Sequence, residues 1–326
     1  MTSTVTALVV GGAGYIGSHV VHDLCAAGHQ VVVLDNLSSG DVDNLPAAAR
    51  FIKGDILEGD SLDDAMSGDI DVVFHFAALK DAGESMSEPA RFAHHNITGS
   101  LRLIDSMLRA GITRIVFSSS AAVYGSPQYL PVDEQHPLDP DNYYGYTKRA
   151  IEENLAWFAQ LKGLQYACLR YFNATGYDRQ GRVRVREHNT GNLSPLIMEV
   201  AAGLRQRLTV FGDDYETRDG TCVRDYIHVN DLASAHLLAM DKLMDGNHTI
   251  VLNLGTEIGS TVLEIVEAAR RITGRDIPIE ITGRRYGDPA TLVASSRQAH
   301  EMLGWSAQHS DLETIFESMC PLYGIW

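Results

Sequence analysis

The sequence predicts an α/β fold in which a doubly wound parallel sheet is followed by a smaller α/β lobe. Two observations carry this prediction. Short runs of apolar and β-branched residues, which are typical of buried strands, alternate with longer helical stretches over the first 173 residues. After residue 173 this alternation loosens, and arginines and glycines gather between 178 and 192. A repeated succession of strand and helix is the order that builds a parallel sheet with helices on both faces.

The apolar runs predict where the strands of the sheet lie. They occur at 6–10, 30–35, 50–55, 71–78, 114–120 and 166–172. Helices are predicted between these runs at 15–27, 89–110 and 143–162, and apolar or helical segments follow at 194–207, 231–243 and 261–273. We therefore predict a first domain at 1–173, to which segments near 210–255 return, and a second lobe formed mainly by 174–326.

Composition and charge exclude several classes of protein. The chain has 326 residues, of which 45% are hydrophobic, as expected for a globular core. Its 26 basic and 42 acidic side chains give a formal net charge of -16, which repels the phosphates of nucleic acids and of anionic membranes. No apolar run approaches the roughly 18 residues of a membrane-spanning helix. We expect neither a nucleic-acid partner nor a membrane partner.

The cysteines and histidines indicate no metal site. The four cysteines lie far apart in the sequence, at Cys25, Cys168, Cys222 and Cys320. This spacing predicts neither a disulfide framework nor a cysteine metal site, and it fits a reducing, cytoplasmic location. The thirteen histidines are likewise spread over unrelated predicted elements.

A glycine-rich turn, GGAGYIG at 11–17, follows the first predicted strand and precedes the first helix. Gly11, Gly14 and Gly17 permit a tight turn and let the backbone approach a pyrophosphate at the helix N-terminus. Asp35 ends the next strand, where a carboxylate accepts hydrogen bonds from an adenosine ribose and repels a 2′-phosphate. This pattern predicts a Rossmann-type domain that binds NAD rather than NADP. A tight turn that binds nothing is the alternative explanation of the glycines taken alone.

Three polar residues fall at the same predicted edge of the sheet. Ser120 ends the fifth strand, and Tyr144 and Lys148 lie four residues apart on one face of the following helix. An unperturbed tyrosine has a pKa of about 10 and is a weak base, but a neighbouring ammonium and a nicotinamide cation both stabilise its phenolate. Ligands of open α/β sheets bind at the carboxyl ends of the strands, so we expect these residues to act beside the cofactor.

The order of these and other motifs resembles the UDP-glucose 4-epimerase family, which belongs to the extended short-chain dehydrogenase/reductases. The resemblance extends from about residue 8 to about residue 305. Its specific segments are GGAGYIGSH, DNLSSG, GDI, FAALKDAGES, FSSSAAVYG, YYGYTK, RYFN, VFGDDYETRDGTCVRDYIHVNDLA, NLG and RRYGDPA. Several of these motifs occur throughout the superfamily, and their combination is what specifies the family.

The resemblance implies two sets of contacts, one with NAD and one with a UDP-sugar. Beyond the three glycines, the NAD contacts are Tyr15, Ile16, Asp35, Asn36, Leu37, Ser38, Ser39, Gly40, Asp55, Ile56, Phe76, Ala77, Ala78, Lys80, Asn96, Ser120, Tyr144, Lys148 and Phe172. The substrate contacts are Lys80, Ser120, Tyr144, Asn173, Asn192, Leu193, Thr209, Phe211, Arg224, Arg285 and Asp288. Among these, Arg224 and Arg285 would clamp the diphosphate, and Phe211 would flank the uracil.

The implied activity is that of an isomerase of galactose and carbohydrate metabolism, which interconverts UDP-glucose and UDP-galactose. Tyr144 would remove the proton of the sugar 4-hydroxyl while hydride passes from C4 to the nicotinamide. Lys148 would lower the tyrosine pKa and hold the nicotinamide ribose, and Ser120 would support the 4-oxygen. The 4-keto sugar would then turn about its link to the diphosphate and receive the hydride on its other face. The helices at 89–110 and 143–162 match those through which relatives dimerise, so we expect a homodimer.

Related functions share part of this pattern. The 4,6-dehydratases carry Asp-Glu directly after the serine, where this chain has Ala121 and Ala122. Epimerisation of UDP-N-acetylglucosamine stays open, because Leu292 aligns with the position that borders the sugar 2-substituent and has an intermediate size. An epimerase of UDP-glucuronate is a further alternative, although it must bind a sugar carboxylate and FAALK with its Lys80 is more similar to the glucose epimerases. A non-catalytic NAD-binding regulatory protein should have lost Tyr144 or Lys148, and this chain retains both. The basic loop 182–186 differs from that of many relatives, and it either adds positive charge near the substrate or lies in solvent.

Overall fold

The computed structural model describes residues 4–187, 191–246, 249–285 and 288–326. In chain order the strands are β1 (Thr6–Val10), β2 (Gln30–Asp35), β3 (Arg50–Lys53), β4 (Val72–His75), β5 (Arg114–Ser120), β6 (Gln165–Tyr171), β7 (Asn173–Thr175), β8 (Leu208–Phe211), β9 (Val223–His228), β10 (Thr249–Leu254), β11 (Gly259–Thr261), β12 (Ile279–Thr282) and β13 (Thr291–Leu292). The helices are α1 (Tyr15–Ala26), α2 (Gly59–Ala65), α3 (Ala82–Ser87), α4 (Pro89–Phe92), α5 (Gly99–Arg109), α6 (Tyr143–Lys162), α7 (Leu193–Ala201), α8 (Val229–Met244), α9 (Val262–Thr273), α10 (Arg297–Leu303) and α11 (Leu312–Met319).

The described residues form a seven-stranded parallel sheet in the order β10-β6-β5-β4-β1-β2-β3. The six predicted strands are confirmed, although β3 ends at Lys53 and β4 ends at His75, earlier than predicted. The pairing of β4 with β1 ends after His75. There the N–H groups of Phe76 and Ala77 both donate to the same acceptor, the Val10 carbonyl, just before the glycine turn. The seventh strand, β10, was not predicted as a strand.

Helices cover both faces of this sheet, which confirms the doubly wound class. On one face α1 and α8 pack against the strands through residues such as Leu24 and Leu232. On the other face α2, α5 and α6 do the same through residues such as Leu103 and Leu155. The strands between them are apolar on both sides, as expected for a parallel sheet that is buried on both faces.

The predicted helix at 89–110 is divided into three parts. Pro89 begins the short helix α4, a π-helical segment at Ala93–Thr98 follows, and α5 completes the run. Such π-helical insertions are often found at functional sites. In this one, Asn96 is fully buried, and its amide faces the segment that follows β4.

A separate apolar cluster, which we call the second apolar cluster, lies in the second half of the chain. It contains buried residues of α7, α9, α11 and β8, for example Ile197, Ile265, Phe316 and Val210. Near it, β9 pairs with β7, β11 and β13, and β8 pairs with β12. The domain boundary at residue 173 stays a prediction. No helix among the described residues combines the length and the apolar character needed to cross a membrane.

Candidate active site

The turn between β1 and α1 requires glycine at two positions. Gly11 has a φ of +79°, and a Cβ at this residue would lie 2.5 Å from the Ala77 nitrogen. A Cβ at Gly17 would lie 2.3 Å from the Gly11 carbonyl oxygen. Side chains are therefore excluded at these two positions, and the backbone there stays open to a ligand.

The N-terminus of α1 suits an anion. Its N-cap is Gly14, which has no side chain with which to cap the helix, and the first turn, from Tyr15 to Ser18, carries no acidic group. The free N–H groups and the positive end of the helix dipole therefore fit the pyrophosphate of a dinucleotide such as NAD.

Asp35 connects the glycine turn to the predicted ribose-binding segment. Its Oδ2 accepts a hydrogen bond of 2.9 Å from the Ala13 N–H, and its Oδ1 accepts one of 2.8 Å from the Leu37 N–H. Burial raises the pKa of Asp35, and these N–H groups oppose the rise. Asn36 in turn donates to Asp55 at 2.8 Å. Because a carboxylate accepts about four hydrogen bonds, Asp35 retains capacity for ribose hydroxyls.

Asn96 holds the segment that follows β4. Its Oδ1 accepts from the Leu79 N–H at 2.8 Å, and its Nδ2 donates to the Leu79 carbonyl at 2.9 Å and to Thr147 Oγ1 at 3.0 Å. The residue was predicted to contact NAD, and the structure gives its side-chain amide these protein partners. It thereby fixes Leu79 between two predicted cofactor contacts, Ala78 and Lys80. The Lys80 ammonium forms an ion pair with Glu187.

The structure brings Ser120, Tyr144 and Lys148 together. Helix α6 begins in close contact with the turn that follows β5. The approach is so close that a Cβ at Gly145 would lie 2.3 Å from the Ala122 carbonyl oxygen. Ser120 lies beside Tyr144, and its hydroxyl opposes the rise that burial causes in the pKa of the tyrosine. Lys148 Nζ donates to the Ser118 carbonyl at 2.6 Å and lies 5.8 Å from the centroid of the Tyr144 ring. A proton donor or acceptor, a hydroxyl and an ammonium thus share the carboxyl edge of β5.

The protein environment opposes the charged forms of Tyr144 and Lys148. Burial raises the pKa of Tyr144 to about 12, and the hydrogen bond with Ser120 acts in the opposite direction. Burial lowers the pKa of Lys148 to about 7, which the Glu152 carboxylate opposes. The residues of the chain alone therefore do not lower the tyrosine pKa, which the sequence predicts from the lysine and the nicotinamide cation together.

A buried ion pair supports this edge of the sheet, and sequence reasoning missed it. Glu152 accepts from Arg170 Nη2 at 2.5 Å and Nε at 2.9 Å, and from Ser119 Oγ at 2.5 Å. Arg170 also donates to the Tyr124 hydroxyl at 2.9 Å. The spacing of four residues from Lys148 to Glu152 was the available signal, because it places both on one face of α6.

The predicted nucleotide-binding residues of β8 share one side of their strand. Leu208 and Val210 are buried in the second apolar cluster, and the alternating residues Thr209 and Phe211 are exposed. The Arg285 guanidinium lies 4.3 Å from the centroid of the Phe211 ring. The structure therefore brings together the predicted uracil and diphosphate contacts.

Arg224 and Asp288 extend this group. Arg224 donates to the carbonyls of Val223 and Pro289, both at 2.8 Å, and its Nη2 lies 3.5 Å from an Asp288 carboxylate oxygen. The Asp288 N–H donates to the Arg285 carbonyl at 3.3 Å. The two predicted diphosphate contacts are thus joined through Asp288, and Arg224 is held in a fixed position.

Other predicted contacts lie in packing positions or at element ends. Asn173 donates to the Asp225 carbonyl at 3.0 Å, Asn192 occupies the N-cap of α7, and Leu193 packs against the second apolar cluster. Ile56 is buried among the helices α2 and α5, and the Phe76 ring lies 4.9 Å from that of His236. Within the described ranges, no group of three or more His, Cys, Asp or Glu side chains is arranged to hold a metal ion.

Comparison with known proteins identifies this arrangement. Residues 7–255 match the model of the NAD dependent epimerase/dehydratase family. The chain is 47% identical to the UDP-glucose 4-epimerase of Halalkalibacterium halodurans over 311 residues, which cover 95% of this chain and 93% of that protein.

Solved structures of UDP-glucose 4-epimerases have the same fold as this chain. The UDP-glucose 4-epimerase from Brucella ovis in complex with NAD superposes with a TM-score of 0.95 at 42% identity, over 99% of each chain. The UDP-glucose 4-epimerase from Bifidobacterium longum in complex with NAD+ and UDP gives a TM-score of 0.91 at 35% identity, over 96% of each chain. The chain therefore belongs to the NAD dependent epimerase/dehydratase family, and within it to the UDP-glucose 4-epimerases.

Proposed function

We propose that this protein interconverts UDP-glucose and UDP-galactose by NAD-dependent oxidation and reduction at C4 of the sugar. The observation that carries the proposal is the convergence of Ser120, Tyr144 and Lys148 at the sheet edge that also holds the glycine turn. Bound NAD+ supplies a hydride acceptor and a positive charge at this place.

Tyr144 and Ser120 act on the sugar 4-oxygen. Tyr144 takes the proton of the 4-hydroxyl and later returns a proton to the 4-keto oxygen, and Ser120 shares a hydrogen bond at the same oxygen. The pKa of Tyr144, raised to about 12 by burial, keeps the phenol protonated near neutral pH. Deprotonation therefore depends on positive charge beyond that of the chain's own residues, which bound NAD+ would add beside Lys148.

The second half of the chain supplies the nucleotide contacts. Arg224 and Arg285 provide positive charge for the diphosphate, and the exposed Thr209 and Phe211 provide a polar group and a flat apolar surface for the uracil. Asn192 and Leu193 begin α7 and belong to the same proposed site. Firm contacts to the nucleotide leave the sugar free to turn between oxidation and reduction.

The substrate assignment is tested by product analysis. We expect NMR to detect UDP-galactose after incubation with UDP-glucose, and parallel incubations with UDP-N-acetylglucosamine and UDP-glucuronate to define the range of sugars. Conversion of only one of the other two sugars would assign a different epimerase. NAD binding without turnover of any of the three would indicate a regulatory NAD-binding protein.

The catalytic assignment is tested by Tyr144→Phe, with Tyr146→Phe as the matched control. Loss of an acid–base group lowers rates by about 10²- to 10⁴-fold, so we expect kcat of Tyr144→Phe to fall by that factor while NAD remains bound. Tyr146 lies on the same helix, is exposed and pairs with the Tyr143 ring, and its variant should retain the wild-type rate. An undiminished rate in Tyr144→Phe would refute the assignment.

The proposal includes a homodimer formed through α5 and α6. On the outer face of α6, Trp157 is 61% exposed and Leu161, one turn later, is 69% exposed. Large apolar side chains that are exposed side by side are typical of interaction surfaces.

The dimer is tested by light scattering after size exclusion. We expect the wild type to elute as a dimer and the double variant Trp157→Glu, Leu161→Glu to elute as a monomer. Leu204→Glu serves as the control, because Leu204 is equally exposed but lies beyond α7. A wild-type monomer, or a double variant that remains dimeric, would contradict this interface.

A cytoplasmic location completes the proposal. Cys25, Cys168, Cys222 and Cys320 all carry free thiols in the structure. Free thiols of this kind persist in a reducing compartment.

A further inference from the structure

The basic loop of the sequence forms part of a segment that spans the predicted cofactor-binding edge. This segment, residues 176–187, follows β7, and we call it the strap. Its Tyr177 and Val183 are buried in the second apolar cluster. The rest of the strap contacts the elements that follow β1, β2 and β4, and each of these elements contains predicted NAD contacts.

Two of the three arginines of the loop are engaged within the protein. Arg182 Nη2 lies 2.6 Å from Asp178 Oδ1 and 2.7 Å from Asp23 Oδ1 on α1, and so bridges the strap to the first helix. The Arg186 guanidinium lies 5.0 Å from the centroid of the Tyr323 ring. These contacts indicate that Arg182 and Arg186 fasten the strap and do not serve as a positive surface for the substrate.

Asn44 holds the middle of the strap. It is 5% exposed and lies just after the predicted ribose-binding segment 35–40. Its Oδ1 accepts from the N–H groups of Arg184 at 2.9 Å and Val185 at 2.7 Å, and its Nδ2 donates to the Val185 carbonyl at 2.8 Å. One side chain thus satisfies three backbone groups of the strap, in the manner of a pairing strand.

Both ends of the strap are attached to predicted NAD contacts. At its beginning, the Tyr15 hydroxyl donates to the Gly176 carbonyl, and the Tyr15 and Tyr177 rings meet edge to face with centroids 5.2 Å apart. At its end, Glu187 forms the ion pair with Lys80. The strap therefore joins the glycine turn, the ribose segment and the segment after β4.

We propose that the strap retains NAD between catalytic cycles, and that Asn44 and Arg182 are positioning residues that keep it closed. The inference rests on the proposed function, in which the cofactor is regenerated at every turnover and gains nothing from leaving. For NAD to leave, the segments that bind it must separate, and the strap connects them.

The experiment measures release of NAD+ and needs no substrate. Protein loaded with NAD+ is mixed with an excess of 3-acetylpyridine adenine dinucleotide, and the NAD+ that remains bound is quantified by chromatography over time. We expect Asn44→Ala and Arg182→Met each to release NAD+ at least tenfold faster than the wild type, which corresponds to about 1.4 kcal/mol. With saturating NAD+, the kcat of both variants should stay within twofold of the wild type.

Asn154→Ala is the matched control. Asn154 lies on α6 and donates to the Ala150 carbonyl at 2.7 Å, so its variant loses an asparagine hydrogen bond that does not involve the strap. Its release rate should equal that of the wild type. Because Asn44 and Arg182 are separate attachments, Arg182→Met tests the strap even if Asn44→Ala does not fold.

The outcomes separate the two proposals. Unchanged release from Asn44→Ala and Arg182→Met in an active epimerase would overturn the role of the strap alone. Wild-type protein that binds NAD+ without epimerising any UDP-sugar would overturn the proposed function, and faster release from the two variants would still support the strap as the element that retains the cofactor.

Discussion

Lys148 is a charged residue that the fold has buried. It is 2% exposed, its Nζ donates to a single backbone carbonyl, that of Ser118, and it lies 4.7 Å from the centroid of the Phe117 ring. A buried ammonium is costly unless negative charge lies nearby. Glu152, one turn further along α6, supplies that charge and is itself held by Arg170. The protonation of the proposed catalytic lysine thus depends on a pair that does not touch the substrate.

Glu152→Gln is expected to be strongly destabilising, because it leaves Arg170 buried without a counter-charge. Breaking one partner of a buried ion pair costs about 3–5 kcal/mol, which urea unfolding would measure. The control is Glu153→Gln on the same helix, whose pair with Arg149 is exposed and contributes at most about 1 kcal/mol. Equal stabilities of the two variants would contradict this role of Glu152.

Sequence reasoning found Ser120, Tyr144 and Lys148 because each ends a strand or begins the next helix, and the carboxyl ends of parallel strands share one edge. It did not find Asn44, whose three partners are backbone groups about 140 residues away in the sequence. Contacts to backbone leave no pattern of paired side chains. It also did not foresee that burial raises the pKa of Tyr144 in the chain alone, because burial is a property of the folded chain.

At the scale of elements, the β1–α1 turn is set by steric contact. The Cβ positions at Gly11 and Gly17 coincide with backbone atoms of the turn and of the segment after β4. The packing of β1, α1 and the segment after β4 therefore fixes the turn. Its geometry was predictable from the spacing of the glycines and from its place between a strand and a helix.

Gly17→Ala is expected to weaken NAD+ binding at least tenfold, because its Cβ would lie 2.3 Å from the Gly11 carbonyl oxygen and would push the turn away from the pyrophosphate. Titration of the apo form by calorimetry would measure the change in Kd. Gly59→Ala on α2 is the control, since a Cβ there meets no atom within 4 Å. A Kd for Gly17→Ala equal to that of the control would contradict the steric account.

Six of the seven strands of the large sheet and the longer helices followed from hydrophobic period, and two differences in the helices have physical causes. The run 89–110 reads as one helix because a π-helical insertion leaves the apolar spacing almost unchanged, whereas the insertion itself is coupled to the buried contacts of Asn96. The segment 194–207 also ends early as a helix, at Ala201, where Gly203 adopts a φ of +75°. Side-chain contacts and a left-handed turn decided these cases.

At the scale of the whole molecule, four of the buried histidines that the structure describes have a lowered pKa. Burial lowers the pKa of His19 and His236 to about 4 and that of His75 and His228 to about 3. In the unfolded chain a histidine binds its proton near pH 6.5. As the pH falls below 6.5, the unfolded chain takes up protons that the folded protein does not, so the free energy of unfolding decreases.

We expect each of the four histidines to lower the free energy of unfolding by about 1.4 kcal/mol in total between pH 7.5 and 5.5, which urea unfolding at both pH values would measure. His236→Asn should remove about one quarter of the pH dependence, because Asn Nδ2 can replace the ring nitrogen that bonds the Leu232 carbonyl. His94→Asn, at an exposed position, is the control. An unchanged slope in His236→Asn would contradict this account.

The path of the chain through the large sheet has a consequence for biosynthesis. The strand β10 completes the sheet beside β6, yet between these strands the chain first forms α7, β8, β9 and α8. A ribosome that has released the chain through β6 but not yet β10 therefore leaves β6 as an open edge, which is the kind of surface that aggregates. Pairing of such distant segments is also slow. Nascent chains that stall before Thr249 are thus the forms that most need chaperones.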